Sequence, residues 1–105
     1  MGEFRINITE LAKKDILGIA DYIENNLLEP SIAVKTTEAI LDAILTLEDM
    51  PARVCLVNDE RLARKQVRGL YVKNYTVFFR IDEIVKTVDI IHVMYSRRDW
   101  ATLLL

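Results

Sequence analysis

The sequence predicts an α+β domain of order β-α-α-β-β-β, with a helical hairpin packed on one face of a small, mainly antiparallel sheet. Three observations lead there. Apolar side chains alternate at period two in Phe4-Arg5-Ile6-Asn7-Ile8, recur at spacings of three and four between residues 10 and 49, and return to period two from Val67 to Tyr95. The last three alternating runs are separated by connections too short for crossovers, so they must be antiparallel neighbours. A chain of 105 residues has room for one core, so residues 1–105 are read as a single domain.

Each element has its own warrant. Phe4 to Ile8 reads as a half-buried strand, and Thr9 offers a hydroxyl N-cap to the helix that follows. Within residues 10–27, Ala12, Ile16, Ile19, Ala20, Ile23 and Leu27 form one apolar stripe. Pro30 interrupts it, because proline disfavours helix at the residue before it. A second helix is expected from Ser31 to Asp49, with Ala33, Thr37, Ile40, Ile44 and Leu47 as its stripe, ended by Met50-Pro51. Residues 51–65 show no clean period, and Arg53 to Arg64 read as an extended surface loop with one apolar island, Val54 to Val57. Strands follow at Val67–Lys73, Tyr75–Ile81 and Thr87–Tyr95, with tight turns at Lys73-Asn74 and Asp82-Glu83. Asp99 to Leu104 has the length of one closing helical turn.

Composition excludes several chemistries. A 51% hydrophobic content with three glycines and two prolines argues against disorder. The single cysteine, Cys55, cannot form an internal disulfide, which points to a reducing, cytoplasmic setting and a small buried thiol. No run approaches the roughly 18 apolar residues of a membrane span, so no membrane partner is expected. One histidine and one cysteine make no metal site, and the three glycines form no phosphate-cradling loop, so neither metal nor cofactor is called for.

Charge is divided unevenly along the chain. Residues 1–60 carry five basic and twelve acidic side chains, and residues 61–105 carry nine basic and four acidic ones. The C-terminal half is therefore suited to a polyanion, whatever the overall charge of −2. A helical hairpin covers one sheet face, so the other is expected to be open. In the strand at 75–81, Tyr75, Val77, Phe79 and Ile81 form the apolar set that packs on the helices, leaving Thr76, Phe78 and Arg80 on the open side. Register decides whether Arg68 or Lys73 joins Arg80, and sequence leaves that choice open. Thr87 to Tyr95 is apolar in both alternating sets, as in a central strand. His92 in it is either a satisfied edge histidine or a general base. Tyr95, Arg97 and Arg98 then form a candidate phosphate or base-stacking site, with Arg64, Lys65 and Lys73 as further nucleic-acid contacts.

The order and spacing of several blocks resemble the RelE/ParE superfamily of toxins from type II toxin–antitoxin systems. These blocks are Ile6 to Asp15, Ile19 to Ile23, Leu47 to Pro51, Val67 to Val72, Asn74 to Ile81, and Val93 to Trp100. The resemblance spans nearly the whole chain and implies a growth-inhibiting toxin neutralised by a cognate antitoxin. RelE-like members cleave mRNA on the ribosome without a metal, whereas ParE-like members poison DNA gyrase. For the first activity, the resemblance implies catalytic roles for Arg68 and Arg80 with Arg97 or Arg98; because arginine stays protonated, Tyr95, His92 or Lys73 would have to move the proton. Thr76 stands near where a catalytic arginine often sits, and the tail Ala101 to Leu105 lacks the late tyrosine of the RelE type. On the strength of the basic sheet, the expected activity is ribosome-dependent mRNA cleavage; a gyrase inhibitor without catalysis and a non-toxic interaction module are the alternatives.

Overall fold

A computed structural model describes residues 2–97. The chain opens with β1 (Arg5–Ile8), after which Thr9 caps α1 (Glu10–Asp21) by accepting from the Ala12 N–H at 3.2 Å. The helix runs on through a wider π turn at Tyr22–Asn26. Pro30 is the first residue of α2 (Pro30–Leu45), where its missing N–H costs no hydrogen bond. A 3₁₀ turn at Thr46–Glu48 completes the second helical segment. Three strands then follow: β2 (Arg68–Val72), β3 (Tyr75–Asp82) and β4 (Thr87–Tyr95). They are ordered β1-β4-β3-β2, with β1 parallel to β4 and the remaining pairs antiparallel. The expected α+β architecture is therefore present. No described helix is long and apolar enough to cross a membrane.

The main core lies between the hairpin and one sheet face. Ala12 and Ile16 of α1 and Ile40 and Ile44 of α2 pack with Val77, Phe79, Val88, Ile90 and Val93. Each buried isoleucine or phenylalanine contributes about 1.5–3 kcal/mol of transfer free energy. Tyr75, Val77, Phe79 and Ile81 all belong to this cluster or pack against it, as their alternation predicts.

The opposite face is covered around Thr76 and Phe78, while Arg80 and Tyr71 on it remain exposed. Residues 51–65 fold back over it instead of forming a loose loop. Pro51–Arg53 make a 3₁₀ turn, Leu56 bridges to Arg68, and Asp59 caps the short helix α3 (Glu60–Arg64) by accepting from the Arg61 and Leu62 N–H groups. Leu62 packs with Val67, Phe78 and Met94 in a second apolar cluster, joined by Val57 and Ile91. Thr76 and Phe78, expected at the surface, are 3% and 0% exposed. Gly69 makes the close cover possible: a Cβ there would meet Val57 and Thr76 side-chain carbons at 3.2 Å. Cys55 is exposed rather than buried, because the extended chain turns Val54 inward and Cys55 outward.

A β-bulge explains why both alternating sets of β4 are apolar. Phe79 lies opposite Ile90 and Phe78 opposite His92, so Ile91 is the extra residue. Val88 and Ile90 face the hairpin before the bulge, and Val93 does so after it. The side-chain phase has shifted by one in between.

Candidate functional site

Directly opposed residues in a sheet share a face, so the register sorts the basic side chains. Arg68 lies opposite Phe79, on the hairpin side. Arg80 lies opposite Asp89, on the face of Thr76 and Phe78, so the two arginines stand on opposite sides of the sheet. The Arg68 guanidinium is also occupied: its Nη1 donates to the Val54 carbonyl at 2.6 Å and to that of Ala52 at 3.3 Å. Such charge-assisted bonds fix the turn that leads towards α3.

The other candidate cations are dispersed. Arg64 is exposed on α3 and pairs with Glu60 at 3.1 Å. Lys65 is exposed at the end of α3, and Lys73 is exposed in the β2–β3 turn with φ +54°. Arg80 and Arg97 are exposed, and neither forms an ion pair among the described residues. Arg98 and the expected turn at 99–104 lie outside the described residues. Arg68 and Arg80 are thus not brought together, and no single cationic surface gathers the whole set.

A concave site instead forms where β1 ends. Beyond Ile90, β4 has lost its parallel neighbour, and α1 passes alongside the bare edge. The Asp15 carboxylate takes the place of the missing strand. Its Oδ2 accepts from the Val93 N–H at 2.9 Å and lies 2.7 Å from His92 Nδ1. A carboxylate only accepts, so the His92 proton sits on Nδ1, and the imidazole is held as a satisfied edge residue. Between α1 and the ends of β3 and β4 is a cleft of about 1040 Å³, with Ile19, Tyr22, Leu27, Asn74, Tyr75 and Tyr95 in its lining. Tyr75 and Tyr95 meet edge to face, with ring centroids 5.9 Å apart. Burial pushes the Tyr75 phenol above its ordinary value, and the neighbouring Tyr95 and Tyr22 add to the shift. It therefore stays protonated near neutrality and can donate a hydrogen bond. The cleft is aromatic and amphipathic, the character of a recognition surface.

Of the sequence candidates, His92 and Tyr95 line this cleft, while Arg68, Arg80, Arg64 and Lys65 do not. Asp15, Tyr22 and Tyr75 were not among the candidates. For the first two, the trace in the sequence is the spacing of Asp15, Ile19 and Tyr22, which puts them on one side of α1 and the π turn that continues it.

Residues 6–100 match the family model described as the ParE toxin of the type II toxin–antitoxin system parDE. Among solved structures, the fold is similar to a chain of the chromosomal ParDE toxin–antitoxin system of P. aeruginosa, with a TM-score of 0.72 and 20% identity over 88% of this chain and 95% of that one. It is also similar to a chain of the RelBE2 toxin–antitoxin complex of Mycobacterium tuberculosis, with a TM-score of 0.62 and 20% identity over 88% of this chain and 96% of that one. Among curated protein sequences there is no match.

Proposed function

Because the chain belongs to the ParE toxin family of type II toxin–antitoxin systems, we propose that it arrests growth by binding DNA gyrase, without catalysis, until a cognate antitoxin neutralises it. The observation that carries this reading is the commitment of Arg68. An arginine that stabilises a cleaving phosphate must have free N–H groups aimed at that phosphate, in concert with a second cation and a proton carrier. Here Arg68 donates to two backbone carbonyls, and Arg80 stands on the other face of the sheet. His92 is likewise engaged by Asp15.

Binding needs a different kind of surface, and the tyrosine cleft supplies one. Protein recognition draws its energy from a few buried aromatic anchors more than from the number of charges. Tyr22 and Tyr95 are 53% and 40% exposed beside the cleft, available to a partner without refolding.

The deciding experiment has two arms. Added to purified gyrase and relaxed plasmid, the toxin should block supercoiling and trap linear DNA. Tyr95→Ala should weaken that effect by about tenfold, the 1–2 kcal/mol of a lost aromatic anchor. Primer extension on transcripts after brief induction should show unbroken mRNA. Codon-phased breaks, with gyrase unaffected, would replace this reading by ribosomal mRNA cleavage, for which the exposed Arg80, Lys65 and Arg97 would be the residues to test.

A further inference from the structure

The turn joining β3 to β4, residues 83–86, presents an unusual apex. Turns are ordinarily built from Gly, Asn, Asp, Ser and Pro, whose local hydrogen bonding or φ freedom suits them to it. This one is Glu83-Ile84-Val85-Lys86, with Ile84 92% and Val85 55% exposed. A single exposed apolar residue is ordinary. Two adjacent ones at the apex of an immobilised turn are not.

The immobilisation is specific. Asp82 Oδ1 accepts from the Ile84 and Val85 N–H groups at 3.0 and 3.2 Å. Lys86 adopts a left-handed φ of +56°, and its carbonyl accepts from Arg5 N–H at 2.9 Å. Its Nζ lies 3.4 Å from Glu83 and 3.7 Å from Glu3, and 5.1 Å from the centre of the Phe4 ring. The tip is thus tied to the first strand as well as to itself. A rigid apolar projection loses little conformational freedom when it is enclosed, which favours binding.

We propose that this turn is an anchor, seating Ile84 and Val85 in an apolar socket with a cationic rim on the protein that the toxin poisons. The shape requires a concave partner, since two adjacent branched side chains at a convex tip cannot be covered by a flat surface. Charge identifies the rim. Asp82, Glu83 and Glu3 surround the tip against Lys86 and the neighbouring Arg5, leaving it net acidic. A second copy is a poor fit at the apolar groove between α1 and α2, by Leu17 and Val34, because Asp21, Glu24 and Glu38 line it and would set like charges against the tip. An anionic bilayer is disfavoured on the same grounds. The inference deepens the gyrase reading by naming a contact, and its test is chosen to separate the two.

The test compares wild type, Ile84→Leu and the double variant Ile84→Asp/Val85→Ser at matched expression. Both variants should keep the wild-type thermal transition, because neither side chain is part of the core. Ile84→Leu should arrest growth like wild type. The double variant should need at least ten times more protein for the same arrest, and at least ten times more to inhibit purified gyrase. Undiminished arrest by the double variant would overturn the anchor. So would a concentration-dependent dimer of the wild type that the variant loses in light scattering, or variant-sensitive binding to phosphatidylcholine–phosphatidylglycerol vesicles. If wild type arrests growth but leaves gyrase active, the gyrase reading fails, while the growth comparison still decides the anchor.

Discussion

Arg68 and Arg80 show how little a residue type says until its partners are known. Both are arginines on β-strands in the basic half of the chain, yet one is structural and the other faces solvent. Arg68→Ala removes two charge-assisted bonds and leaves the carbonyls of Ala52 and Val54 without that donor. The expected loss is about 1.5–3 kcal/mol in urea unfolding. Arg80→Ala should stay within about 0.5 kcal/mol of wild type in the same experiment, because it removes an exposed side chain with no ion pair among the described residues. Equal losses at the two positions would contradict the assignment of Arg68 to the turn. The charge on these residues was legible in the sequence. Their faces were not, because they depend on a register that a one-residue slip would reverse.

At the scale of the element, the long periodic segments could be read and the short ones could not. β1, the two helices and the three C-terminal strands announce themselves by repetition. A five-residue helix completes too few turns to display a period, so α3 passed for loop. Its mark in the sequence was Asp59 three residues before Leu62, a cap followed by an apolar side chain. The bulge at Ile91 was equally hidden, since a change of phase inside an apolar run looks like a strand buried on both sides. Two measurements probe α3. Leu62→Ala should cost about 2–4 kcal/mol and open the second cluster to hydrogen exchange before the main core. The Asp59 carboxyl is held below its ordinary 3.8, first by the Leu62 N–H bond and then by Arg61, with burial opposing. A lowered folded-state value means that its stabilisation is present above the unfolded value and lost as pH falls through the folded one. Wild type should therefore outlast Asp59→Asn on heating at neutral pH, and the gap should close under acid. A gap unchanged down to strongly acidic pH would show that the carboxylate is not what holds the cap.

For the whole molecule, the decisive fact is that β4, the last of the described strands, lies inside the sheet, between β1 and β3. Among the described residues β1 has no other strand partner, and the Asp15 contact with Val93 ties α1 to the bare edge of β4. A chain ending at residue 86 should accordingly show no cooperative thermal transition by circular dichroism, although it keeps α1, α2 and α3 and three of the four described strands. A sharp transition from such a fragment would mean that the hairpin folds without the sheet. The parallel pairing of Arg5 with Thr87 and of Ile8 with Ile90 also joins the two ends of the chain across almost its full length. Contacts so distant in sequence form late. During translation β1 must wait for β4, so a nascent chain that stops short of β4 has neither the tyrosine cleft nor a partner for its first strand. The cleft therefore exists only once β4 has been made, and shorter products lack it.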